Sequence, residues 1–163
     1  MKSFTDNTGR AWLVNVNVGT IKRVRALCGV DLANIISIES GQKPRIELLE
    51  RLASDPVLLV DVLYAVCKEE ADSRNVSDEE FGRSMAGDAI EFATAALLDE
   101  IIDFFPEAKR KVFRRILDAT RRFETKTKEA LSTLLADPKL DARIDAALEK
   151  LTTSSSNLPE SAA

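Results

Sequence analysis

Residues 77–105, SDEEFGRSMAGDAIEFATAALLDEIIDFF, carry the pattern that decides the fold. Ser77 followed three positions later by Glu80 is a capping-box signature. The hydroxyl accepts from an orphan backbone N–H, and the carboxylate returns to the cap. Asp78, Glu79 and Glu80 also place negative charge at the positive end of the helix dipole. Beyond them Phe81, Met85, Ile90, Ala93, Leu97, Ile101 and Phe104 recur mostly at spacings of three or four, and Leu98, Ile102 and Phe105 widen the stripe. Phe92 falls beside it. Pro106 then removes a backbone donor and disfavours helix at the residue before it. Gly82 and Gly87 weaken the first half, which leaves room for a break near Gly87 with Asp88 capping a second segment.

Upstream, Asp55-Pro56 is a restart signal, because Asp caps and Pro is tolerated at the first helical position. The helix it opens, VLLVDVLYAVC, is apolar nearly all round, as the buried centre of a bundle is. Asp61 within it is either a satisfied boundary carboxylate or an interface contact. Residues 68–76 read as a polar linker. Residues 46–53 form a helical stretch with Leu48, Leu49 and Leu52 inward, preceded by a loop over residues 40–44. Asp31 caps a short segment over residues 32–38, although Ile35, Ile36 and Ile38 also tolerate a strand. Thr20 caps a helix over residues 21–28, closed by Gly29 in a left-handed conformation. Residues 2–18 read as a β-hairpin: Asp6, Asn7, Thr8 and Gly9 supply turn chemistry, and Trp12, Val14, Val16 and Val18 share one side.

Downstream, residues 107–136 read as one long helix. Val112, Phe113, Ile116, Leu117, Thr120, Phe123, Thr127, Leu131, Leu134 and Leu135 line one stripe, and bases occupy the remaining faces. Asp137-Pro138 repeats the cap-and-restart signal before a last short helix through Leu151. The expected fold is mainly α: a small helical bundle with an N-terminal β-hairpin and a long basic C-terminal helix. It divides into a hairpin-plus-helical core over residues 1–106, a basic helical segment over residues 107–151 and a disordered tail over residues 152–163.

The 163 residues suffice for one domain with a real core, and 45% apolar with 31% charged is ordinary for a globular chain. The net charge of -4 is unevenly spread. Residues 61–106 hold twelve acids and three bases, whereas residues 107–128 hold nine bases and three acids. Cys28 and Cys67 each sit inside an apolar run and read as buried free thiols in a reducing compartment. No apolar leader follows Met1, and no apolar run is long enough to span a bilayer.

The chain has no histidine. Histidine-dependent triads, histidine metal sites and imidazole acid–base chemistry are therefore excluded. No Walker A sequence, Rossmann glycine fingerprint or paired CxxC occurs. Carboxylates cluster as Glu69, Glu70 and Asp72 and as Asp78, Glu79 and Glu80, where solvation and helix-dipole pairing explain them more simply than a metal or a catalytic pair. The run KRKVFRR over residues 109–115 offers a basic patch of Lys109, Arg110, Arg114 and Arg115, continued by Arg121 and Arg122. It is read as a solvated face, as a docking surface for an acidic protein, or as a phosphate contact with Phe113 and Phe123 stacking. Pairing of the basic block with an acidic block between molecules is physically sensible.

Four stretches together resemble tail assembly chaperones of long-tailed phages and prophages: FTDNTGRAWLV, IKRVRALCGVDL, LLERLASDPVLLVDVLYAVCK and residues 77–106. The resemblance covers roughly residues 4–106. It implies a small helical protein of the bacterial host cytoplasm that binds the tape measure protein, keeps that long apolar chain soluble and helps recruit tail tube subunits. It implies no catalytic residue, cofactor or metal, and absence from the mature particle. Such a protein needs exposed apolar surface bordered by charge. Trp12 on the hairpin, with Phe81, Phe92, Leu97, Ile101, Phe104 and Phe105 on the acidic segment, are the partner-binding candidates. All but Phe92 suit a core as well. The basic patch would support homo-oligomerisation or docking. Two other readings stand beside this one: a structural tail subunit, and a nucleic-acid-binding module using residues 109–128.

Overall fold

The computed structural model describes residues 2–37, 45–137 and 139–155. Among them the chain is mainly helical, with seven α-helices and one two-stranded antiparallel hairpin. It forms two compact units, Met1–Arg114 and Arg115–Ala163.

The hairpin pairs β1 (Lys2–Thr5) with β2 (Ala11–Val14) in the register Phe4↔Trp12. Its turn is built on the buried Asp6 carboxylate. Oδ1 accepts from the Thr8 amide at 2.8 Å, the Thr8 hydroxyl at 2.6 Å and the Arg10 amide at 3.0 Å. Oδ2 accepts from the Trp12 indole N–H at 2.9 Å. Burial alone would raise the Asp6 pKa. The hydrogen bonds from Thr8, Trp12 and Arg10 outweigh it and hold the carboxyl well below the usual carboxylate range.

Trp12 is fully buried, with its ring edge-on to Phe81 at 5.0 Å. Tyr64 and Phe4 complete the aromatic cluster around Phe81 at 5.5 and 6.5 Å. Trp12 and Phe81 are therefore core residues and not partner contacts, because a hairpin this short is stable only when its apolar face is covered. Val14 and Val16 also point inward, but Val18 is exposed. The alternation ends where α1 (Val18–Cys28) begins. Its cap is Asn17, whose Oδ1 accepts from the Thr20 amide at 3.0 Å, and not Thr20, whose hydroxyl donates to the Asn15 carbonyl. Gly29, at φ +65°, closes the helix as expected.

Asp31 caps only a 3-10 turn, Leu32–Asn34. Ser37 pairs with Arg45 in an isolated antiparallel bridge, and the loop expected over residues 40–44 lies outside the described residues. Next, α2 (Glu47–Ser54) buries Leu49 and Leu52 and leaves Leu48 half-buried.

Asp55 opens α3 (Pro56–Ser73), its Oδ1 accepting from the Leu58 amide at 3.0 Å. The expected linker is thus largely helix. Lys68 pairs with Asp72, and Arg74 pairs with Glu70 at 2.5 Å, each one helical turn apart. The stop is Asn75 at φ +55°, with Asn75 N–H donating to Asp72 C=O at 3.1 Å and Val76 N–H to Ala71 C=O at 2.9 Å. That double bond is a Schellman closure with Asn in the left-handed position. The apolar α3 is the hub of the first unit and packs against α1, α2, β2 and the two helices that follow.

Those two are α4 (Asp78–Ser84) and α5 (Asp88–Phe104). Ser77 caps α4, its hydroxyl accepting from the Glu80 amide at 3.2 Å. The Glu80 carboxylate takes Arg10 Nη1 at 2.6 Å, so only half of the expected capping box forms. The break at Gly87 is real. Its backbone, at φ +55° and ψ -128°, suits glycine alone, and Asp88 sits in the first turn instead of capping it. α5 packs on β1 and α3 and buries Leu97, Ile101 and Ile102. After Pro106, α6 (Glu107–Leu135) begins, and Phe113 meets the buried Phe105 edge-on at 4.9 Å.

The second unit consists of α6 from Arg115 onward and α7 (Leu140–Ser155). Of the tail expected to be disordered, residues 152–155 are the last turn of α7, and residues 156–163 lie outside the described residues, as does Pro138.

Candidate protein-docking surfaces

The partner candidates divide by burial. Leu97, Ile101 and Phe105 lie inside the first unit with Trp12 and Phe81. Phe105 carries Lys109 Nζ over its ring at 5.9 Å, and the half-buried Phe104 meets it edge-on at 5.4 Å. Phe92 alone among the seven faces water, with 62% of its surface exposed.

Phe92 stands at a groove of about 650 Å³ between β1 and one face of α5, lined by residues 2–5 and by Phe92, Ala95, Ala96 and Asp99. The helix side of this groove repeats at spacings of three and four, and two of its residues are alanines that leave room above them. The strand side is the outer edge of β1, where Ser3 and Thr5 are exposed. On the opposite edge of the hairpin, Leu13 N–H donates to Glu70 Oε2 at 2.9 Å and Arg74 Nη1 donates to Ala11 C=O at 2.8 Å. Side chains at the C-terminal end of α3 and its cap thus seal β2. The same register turns the backbone groups of Ser3 and Thr5 away from β2, as opposite residues of a non-hydrogen-bonded pair require.

A second groove, of about 340 Å³, runs between α3, α4 and the start of α5. Val57, Val60, Met85 and Ile90 give it an apolar floor, and Asp61, Asp78 and Glu79 rim it. Glu79 is engaged by Arg83 at 3.2 Å, whereas Asp61 and Asp78 meet no base among the described residues. Burial raises the Asp61 carboxyl above its ordinary pKa, and the charges of Asp78 and Asp55 add to the shift. The nearby Cys28 thiol is raised for the same reasons, burial first and then Asp61 and Asp78. Sequence reading missed this groove. Asp61 as an interface contact and the acidic start of α4 were visible, but their meeting depends on how α3 and α4 cross.

The basic patch is not a continuous free surface. Arg114 reaches Asp103 at 2.5 Å, Lys111 pairs with Glu107 at 2.7 Å, and Lys109 lies over Phe105. Arg110 and Arg121 are half-buried, while Arg115 and Arg122 are exposed. The acidic clusters are engaged too, with Glu69 on Arg23, Glu70 on Arg74, Asp72 on Lys68 and Glu80 on Arg10.

No family model, curated protein or solved structure matches this chain. Among the described residues no three Cys, Asp or Glu side chains converge as a metal-holding group, and no helix is long and apolar enough to cross a membrane. Cys67 is buried, and burial, with Glu70 adding and Arg74 opposing, pushes its thiol up to about 12. A thiol held protonated at neutral pH is a poor nucleophile. What the first unit offers a ligand is apolar surface in two grooves, one bounded by a strand edge and one by acids.

Proposed function

We propose that the chain is a non-catalytic tail assembly chaperone of a long-tailed phage or prophage, working in the cytoplasm of the bacterial host. It binds apolar segments of the tape measure protein, holds that chain in solution and brings tail tube subunits to it. One observation carries the reading: Phe92 lies in water at the mouth of a groove whose opposite wall is strand β1, with Ser3 and Thr5 exposed. Covering the 62% of Phe92 that is exposed contributes about 1–2 kcal/mol. The outer edge of β1 adds hydrogen bonds for any extended segment laid along it. Residues 107–135 serve as a long basic arm for self-association or docking. The resemblance over residues 4–106 suggests the partner, and the exposed Phe92 beside the groove supports a binding surface there.

The test is affinity purification of a tagged chain from cells expressing the surrounding gene cluster. Co-elution of a very long, helix-rich protein together with tube subunits is the expected result. Elution alone, or with nucleic acid that leaves at high salt, contradicts it. Mass spectrometry of mature particles separates a chaperone, which is absent from them, from a structural tail subunit, which remains.

A further inference from the structure

The acid-rimmed groove and the exposed face of α6 are complementary in charge. At 3.6 residues per turn, Arg115, Ala119, Arg122, Phe123 and Lys126 fall within about 100° of the helix circumference. Phe123 is 72% exposed, and Arg115, Arg122 and Lys126 are exposed with no acid engaging them among the described residues. This face therefore presents one aromatic ring flanked by three bases that no acid engages among the described residues. The groove presents the inverse: an apolar floor of Val57, Val60, Met85 and Ile90 beneath Asp61, Asp78 and Glu79, with no base in its lining.

We propose that the groove between α3 and α4 receives helix α6 of a second copy of this chain, with Phe123 over the apolar floor and Arg115, Arg122 and Lys126 against the acidic rim. The occupant follows from the charges. A helix with acids at these positions would meet like charge at the rim, which costs several kcal/mol, whereas a base-flanked apolar helix is drawn in. Within the described residues, α6 is the helix with unengaged bases beside a large exposed aromatic ring. Because groove and helix are different surfaces, a reciprocal exchange closes a two-fold isologous dimer, whereas a one-way contact closes a ring or propagates. The inference does not depend on the partner proposed for Phe92, because it uses neither β1 nor the outer face of α5.

Charge reversal with complementation tests it. In size-exclusion chromatography with light scattering, the full chain is expected to self-associate at about 0.05 M salt and to dissociate toward monomer at about 0.5 M, as screening shortens the reach of the rim charges. Asp61→Lys with Asp78→Lys is expected to weaken association by about a hundredfold or more, as is Arg122→Glu with Lys126→Glu. All four positions are exposed, so circular dichroism should report native helix in both variants. Mixing the two variants is expected to restore a complex between them, which loss of folding could not do. A wild-type chain that stays monomeric at low salt overturns the proposal. Self-association untouched by both variants overturns it too, as does a mixture in which the two variants ignore each other. Association that needs added nucleic acid, and is lost in the basic-to-acidic variant alone, assigns the basic face to nucleic acid instead.

Discussion

Replacing Asp6 by alanine is expected to destabilise the first unit by about 3–5 kcal/mol, about half of it through one tryptophan. The Trp12 indole N–H donates to Asp6 Oδ2 at 2.9 Å in a site from which solvent is excluded. Leaving such a donor unsatisfied costs roughly 1–3 kcal/mol. The amides of Thr8 and Arg10, which bond Oδ1 at 2.8 and 3.0 Å, lie at a part-buried turn where water replaces the lost acceptor only partly. Each adds about 0.5–1.5 kcal/mol. Relief of the carboxylate's own burial offsets some of the sum. A domain of this size has a total stability of about 5–15 kcal/mol, so the loss is a large fraction of it. The assay is urea unfolding followed by circular dichroism, with Asp6→Ala, Trp12→Phe and the double variant forming a cycle. A coupling of about 1–2 kcal/mol between the two positions is expected. A loss below about 1 kcal/mol for Asp6→Ala, or strict additivity in the cycle, refutes the idea that this hydrogen bond ties the turn to the core.

The same carboxylate sets a pH dependence. Because its folded pKa is lowered, its contribution is complete above the unfolded value of about 4 and drains away as pH falls toward the folded one. Wild type should lose stability below pH ~4 more steeply than Asp6→Ala. Phe81→Ala should lower stability by about 3–5 kcal/mol, since its ring is fully buried against Phe4, Trp12 and Tyr64, whereas Phe92→Asp should change it by less than about 0.5 kcal/mol in the same urea titrations. Gly87→Ala should destabilise by about 1–3 kcal/mol through backbone strain alone, because a Cβ there meets nothing within 4 Å. A neutral result in denaturant titration would mean that the break between α4 and α5 is softer than its φ of +55° indicates. Thiol labelling at neutral pH should modify the half-buried Cys28 first and reach Cys67 only with added denaturant. Equal rates would contradict the burial of Cys67.

Local chemistry made much of this fold legible. Asp55-Pro56, Ser77 and Gly29 act within one helical turn of themselves, so their roles as starts and a stop can be read without knowing the neighbours. The resolved errors share a cause, which is competition from a nearby or distant group. Asn17 takes the cap that Thr20 could supply, and Arg10, seventy residues away in sequence, draws Glu80 from its capping box. The polar end of α3 looked like a linker because its support comes from ion pairs one turn apart and from Asn75 in a left-handed conformation, not from apolar periodicity. For the candidate surface, Phe92 could be singled out because it falls off the apolar stripe of α5. Trp12 and Phe81 could not be assigned inside or outside until hairpin and helix met. Neither groove has a sequence signature, since each arises where separate elements cross.

The central claim is that Phe92 and the groove beside it hold apolar segments of the tape measure protein. The most direct measurement is the soluble fraction of that protein when co-expressed with this chain, wild type against Phe92→Asp, each present at equal level and with native helix content. Wild type is expected to keep the tape measure protein in the supernatant, and Phe92→Asp to leave most of it in the pellet. Equal solubility with both chains would place the binding surface elsewhere, and a tape measure protein insoluble with either would contradict the chaperone role itself.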